Sequence, residues 1–239
     1  MVIIEGKEVL LDVAEVVDPK HTALLVIDVQ NDFCSAGGIC DRTGQSLELM
    51  PPMLANVKRV IESARAVGVL PIFVQNTNFP DRRTASPAYI RFHALKRGYG
   101  FEHESTIKDT WGWQFVEEAT PRAEDIVVTK HRSSGFAGTN LDLLLRSAHI
   151  KSVVTIGTAT HGCVTSTARA AEGLDYYVVL VEDACASSSR DLHDAAVKVM
   201  ATRLEVLSTD QICGIWADAT PSWRAGNTSL GAKEMPTLA

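Results

Sequence analysis

The chain has 239 residues, 46% hydrophobic and 22% charged, ordinary globular usage that excludes a disordered or fibrous protein. Its formal net charge is -6 and it has no basic cluster, so no nucleic-acid partner is expected and a small molecule is the better fit. Five cysteines (Cys34, Cys40, Cys163, Cys185 and Cys213), an odd number with no CxxC pair, suit neither a disulfide framework nor a zinc site and imply reduced thiols in a cytoplasm.

The N-terminus, MVIIEGKEVLLD, lacks the basic start of a secretory leader, and the longest apolar runs are too short to cross a bilayer, so no membrane partner is expected. A first buried strand is predicted at 23–27, a helix at 53–67 and a second strand at 69–74. Residues 76–121, rich in Pro, Arg, His, Gly and aromatics, read as an elaborated loop over a pocket, with one short helix at 113–118. Then follow a strand at 126–129, a helix at 141–148, a strand at 153–156 and a helix at 164–171. A strand at 177–181, a helix at 192–201 and a strand at 204–207 complete the alternation. This pattern predicts right-handed βαβ units: an α/β domain with a largely parallel sheet covered on both faces. That domain spans residues 1–216. From 217 the periodicity is lost and Gly, Pro, Ser and Thr accumulate, so 217–239 is expected to be an extension, flexible or packed on a neighbouring subunit.

Ligands of open parallel sheets bind beyond the carboxyl ends of the strands, and three reactive side chains stand there. Asp28 closes ALLVID, Lys130 closes DIVVTK, and Cys163 follows VVTIGTATHG and opens a helix. Singly, each has an ordinary explanation: a packed thiol, a helix cap, a solvated lysine. Together they meet a chemical need. A thiol with a pKa of about 8.5 becomes a nucleophile at neutral pH only beside a base, a cation or a helix N-terminus. Asp28 could accept its proton, Lys130 could stabilise thiolate and carboxylate, and the helix dipole adds positive potential. Gly157 and Gly162 permit a sharp turn whose N–H groups could bind an oxyanion. A dinucleotide-binding oxidoreductase is disfavoured, because DVQNDF rather than GxGxxG follows the first strand.

Four segments occur in order: ALLVIDVQNDF (23–33), TKHRSSGFAGTNLDLLLR (129–146), GTATHGCVTSTARAA (157–171) and VVLVEDACAS (178–187). With them the chain resembles the isochorismatase-like family of cysteine hydrolases. The resemblance implies a three-layer Rossmann-like fold with a six-stranded parallel sheet, a triad of Asp28, Lys130 and Cys163, and a thioester intermediate. It also implies a non-proline cis peptide before Ala159, an oxyanion hole made by the N–H groups of Ala159 and Cys163, and a homo-oligomer (dimer or tetramer) whose pocket a neighbouring chain often completes. Isochorismatases proper lack the nucleophilic cysteine, so its presence here points to amide hydrolysis. Nicotinamidases carry a metal-binding Asp-x-His pattern, whereas this chain reads NTNFPDRRTASPAYIRFH. Neither Asp81 nor His93 has a His partner at that spacing, so no metal or other cofactor is expected, although His93 and His103 could meet in space.

The remaining members act on ureidoacrylate, carbamoylsarcosine, biuret and triuret, small polar amides that need a few directed hydrogen bonds. The candidate groups are Asn31, Asn78, Arg82, Lys96 and Gln211, with Phe33 and Phe136 as walls; some biuret-type enzymes place an amide-binding glutamine where Gln211 stands. With no arginine clamp for a carboxylate evident, a biuret- or triuret-like substrate is preferred, unless Arg82 or Arg83 faces the pocket. The alternatives are ureidoacrylate or N-carbamoylsarcosine hydrolysis, then a nicotinamidase-like activity, and in another class a catalytically silent binding protein. His161 invites a Cys–His dyad, against which the family's use of Asp argues. Cys34, Cys40, Cys185 and Cys213 read as idle thiols, and Trp111 and Trp113 as core or interface aromatics.

Overall fold

A short antiparallel hairpin, β1 (Val2–Ile4) and β2 (Lys7–Val9), and a one-turn helix α1 (Val13–Val16) lead into the body of the computed structural model, which describes residues 1–101 and 104–219. The first core strand is β3 (Thr22–Ile27), buried at every position. Two short helices, α2 (Asn31–Cys34) and α3 (Ile39–Arg42), follow it, then the long helix α4 (Met50–Val67), which ends at Gly68 in the left-handed conformation at φ +86°. Next come β4 (Leu70–Asn76), α5 (Pro87–Leu95), β5 (Ile126–Lys130), α6 (Leu141–Ser147) and β6 (Ser152–Thr158). The chain then forms α7 (Thr165–Gly173), β7 (Tyr177–Ala186), α8 (Arg190–Met200), β8 (Glu205–Leu207) and α9 (Thr209–Asp218).

Six strands pair in the order β5-β4-β3-β6-β7-β8, every neighbour parallel. The pleat divides their side chains between two cores. Leu24 and Val26 of β3 point into one, filled by Met53, Val57, Val60 and Ile61 of α4 and by Ile212 and Trp216 of α9. Ala23, Leu25 and Ile27 point into the other, filled by Leu141 and Leu145 of α6, Ala168 and Ala171 of α7 and Met200 of α8. Burial on both faces is why the central strands are continuous apolar runs rather than alternating ones. The result is the expected three-layer α/β fold with its six-stranded parallel sheet.

The segment 76–121 differs from expectation. It contains α5, begun by Pro87 after Ser86, whose hydroxyl accepts the Tyr89 N–H at 3.2 Å. At 113–118, where a helix was expected, 3₁₀ turns at Trp111–Trp113 and Glu117–Ala119 flank an extended stretch in which Phe115 bridges Gln30. The Trp113 carbonyl accepts from Gln30 Nε2 at 2.7 Å and from Gln75 Nε2 at 2.9 Å, and that anchorage to the sheet end replaces a helical ladder. Of the C-terminal extension, 217–219 finish α9 and its cap, and 220–239 lie outside the described residues.

Candidate active site

The registers bring three strand ends to one edge: Ile27 faces both Val74 and Gly157, and Asn76 faces Lys130. Directly after β3, Asp28 turns into the left-handed region at φ +52°, a conformation Asp tolerates better than branched residues. Its Oδ1 accepts the Asn76 N–H at 3.0 Å and its Oδ2 lies 2.7 Å from Lys130 Nζ. The wholly buried Lys130 also donates to the Arg132 carbonyl at 3.0 Å and reaches Cys163 Sγ at 3.3 Å. The ammonium thus makes two hydrogen bonds and one ion pair. On the β6 side, Gly157 sits at φ +120°, and a Cβ there would overlap the Ile27 carbonyl oxygen. Glycine therefore lets β6 pass β3 closely enough for the next turn to reach Asp28 and Lys130.

In that turn the Thr158–Ala159 peptide is cis, and Ala159 caps a π-helical turn, Thr160–Val164, that runs on into α7. Cys163 thus lies inside the first turn of a continuous helix, rather than opening it. N–H groups of a first turn lack intrahelical acceptors, which is the property an oxyanion site uses. Burial raises the Cys163 thiol to about 11, Asp28 adds to the rise, and Lys130 opposes it. Lys130 itself is raised, because Asp28 and Cys163 outweigh the burial that disfavours its charge. At neutral pH the thiol is therefore protonated and Lys130 charged, so a thiolate forms only as the thiol proton leaves. His161 makes no dyad with the thiol: its Nδ1 lies 2.8 Å from Ser187 Oγ, and its backbone N–H donates to the same oxygen at 3.4 Å.

A cleft of two lobes, about 240 and 350 Å³, meets at Cys163. Phe33, Lys96, Arg97, His161 and Cys163 line both lobes, and Asp28 and Ala159 line the first. Of the expected substrate groups, Phe33 and Lys96 are therefore on the wall, and the five others are not. Asn78 is buried below it, donating to the Ser105 carbonyl at 2.9 Å and accepting from Tyr89 Oη at 3.1 Å. Phe136 packs on Tyr176 at 6.2 Å in the second core. Gln211 closes a capping box on α9, its Oε1 accepting the Ser208 N–H at 2.7 Å. Asn31 is tied to the Trp111 carbonyl and to Ser35. Arg82 pairs with Glu104, and Arg83 with Asp81. The sequence reasoning missed Arg97 and Tyr89. The basic doublet in ALKRGYG was visible, but nothing in the sequence places it against Cys163.

No three His, Cys, Asp or Glu side chains converge as a metal site among the described residues. Asp81 is held by Arg83, His93 stacks on Tyr89 at 4.1 Å, and His103 lies outside the described residues. No described helix is long and apolar enough to cross a membrane.

Comparison with known proteins bears on family and fold. The sequence model of the Isochorismatase domain matches residues 22–211. The ureidoacrylate amidohydrolase RutB of an Enterobacter species is 40% identical over 174 residues, covering 70% of this chain and 75% of that one. Its counterpart in Agrobacterium fabrum is 34% identical over 212 residues, covering 85% and 93%. Among solved structures, N-carbamoylsarcosine amidase from Thermoplasma acidophilum is similar at 30% identity and a TM-score of 0.62, covering 80% of this chain and 97% of that one.

Proposed function

The chain belongs to the isochorismatase family and is a hydrolase of non-peptide carbon–nitrogen bonds, and from that premise we propose that Cys163 attacks the carbamoyl carbon of a ureido compound. The observation that carries this reading is Lys130 Nζ, 2.7 Å from Asp28 and 3.3 Å from Cys163. As sulfur bonds to carbon, the thiol proton passes to Asp28. The N–H groups of Ala159 and Cys163 receive the oxyanion, and collapse of the tetrahedral adduct expels the nitrogen, which takes the proton from Asp28. Water then attacks the thioester, giving its proton to Asp28, and the thiol is restored when that proton returns to sulfur. Lys130 stays charged throughout and stabilises whichever partner is anionic.

For the substrate, the named relatives favour ureidoacrylate over the biuret- or triuret-like compound preferred from sequence. With Gln211 engaged in a helix cap, its expected amide contact also loses its support. A panel of ureidoacrylate, N-carbamoylsarcosine, biuret, triuret and nicotinamide tests the assignment, with the highest kcat/KM expected on ureidoacrylate. Cys163→Ala should lose at least about 10³-fold in turnover, and quenched wild-type enzyme should show an acyl adduct on Cys163 by intact mass. A folded Cys163→Ala protein with normal turnover would sink the mechanism.

A further inference from the structure

We propose that Lys96 and Arg97 form an anion-binding wall that grips a substrate carboxylate, so that the enzyme selects ureido acids over neutral ureas. This rests on the reading that Cys163 attacks a carbamoyl group, and it assigns the other end of the molecule.

The doublet borders both lobes of the cleft, as Cys163 does, so a molecule reaching the thiol from either side has these cations on its boundary. The charges along the wall are one-sided. Its single described carboxylate is Asp28, which Lys130 already engages. Arg132 is committed to backbone, donating to the Thr84 and His131 carbonyls while stacking over Tyr89 at 5.0 Å. Lys96 and Arg97 form no ion pair among the described residues. The Arg97 Nε is buried without a hydrogen-bond partner, while Nη2 donates to Tyr99 Oη at 3.0 Å. Tyr99 is 2% exposed, so it holds the guanidinium in place before any ligand arrives.

A half-buried guanidinium with an unused donor and no counterion among the described residues is costly by itself, and a carboxylate meets a guanidinium with two parallel hydrogen bonds. Since the group is already ordered, little freedom is lost on binding. Burial lowers His93 to about 4, with Arg97 and Arg132 as lesser causes, so its imidazole adds no charge to that side at neutral pH. A short acid with a ureido group at one end and a carboxylate at the other presents both complementary features. Biuret presents only the first.

Binding measured on Cys163→Ala protein tests the wall independently of turnover. Calorimetry with ureidoacrylate, its methyl ester and biuret should show the acid bound about tenfold or more tightly than either neutral compound. In otherwise wild-type enzyme, Arg97→Gln should raise KM for the acid about tenfold with a smaller change in kcat, and Lys96→Ala, on an exposed side chain, should act in the same direction. Equal affinity for acid and ester, or an unchanged KM in both variants, would overturn the wall while leaving the amidohydrolase reading intact. Tight binding of the acid without hydrolysis by wild-type enzyme would do the reverse.

Discussion

The two sides of the cleft are built on different principles. One side consists of strand ends: Asp28, Lys130 and the turn after β6 are fixed by three adjacent registers, and their polar atoms bond to one another or to backbone. The other side is the stretch after β4, where α5 buries only Ala94 and the chain is held by two isolated backbone bridges, Gln30–Phe115 and Asn78–Ile107, and by side chains reaching across. Asp32 is the principal one, its Oδ1 accepting the Ile39 N–H at 3.0 Å and its Oδ2 the Thr106 N–H at 2.5 Å. Reactive groups thus stand where the backbone is most constrained. Groups proposed to face the rest of the substrate stand where the chain can vary at little cost to the sheet.

Substitutions that separate the two sides sharpen this contrast. Asp28→Asn should have the largest effect, lowering turnover by about 10²- to 10⁴-fold. Its signature is a change in thiol chemistry. In the native enzyme the Cys163 value of about 11 lies above the ordinary 9.0, so alkylation should keep accelerating as pH rises past 9. Removing the carboxylate removes one cause of the rise, so the variant should alkylate faster than wild type at pH 8 while turning over more slowly. Peptide mass spectrometry after timed alkylation reads this out, and slower labelling of the variant would contradict the charge balance described.

Asp32→Ala comes next. It should cost about 1–3 kcal/mol in denaturant unfolding through two buried N–H groups left unpaired, and raise KM more than it lowers kcat. A pure kcat defect would mean that the two sides are not separable. Smallest is Gln211→Ala, which breaks the capping box on α9. A loss of about 0.5–1 kcal/mol in thermal stability with kcat and KM unchanged is expected, and a shifted KM would return Gln211 to the substrate.

The same contrast explains what could be read from the sequence. The uniform apolar run closed by Asp28 announces a doubly covered strand with a polar end, DIVVTK announces a strand ending in Lys130 although β5 lies at the sheet edge with Val127 exposed, and the Gly-flanked Cys163 announces the third partner, because period and chain order carry that information. Helix α5 was not legible from periodicity: with one buried residue it has no apolar stripe, although Ser86-Pro87 is a start signal. The Gln211 cap was legible as Ser208 followed three residues later by Gln211. Arg97 was not, since its meeting with Cys163 depends on how a loop folds back rather than on any local pattern.

Lys130, held between Asp28 and Cys163, has a consequence for charge conservation. In the proposed mechanism the proton transfer converts ammonium, carboxylate and neutral thiol into ammonium, carboxylic acid and thiolate. The total is zero in both states, so the dry interior around Lys130 never has to accommodate a net ion as the nucleophile forms. The negative charge only changes sides of a fixed cation, and the step needs no proton exchanged with solvent.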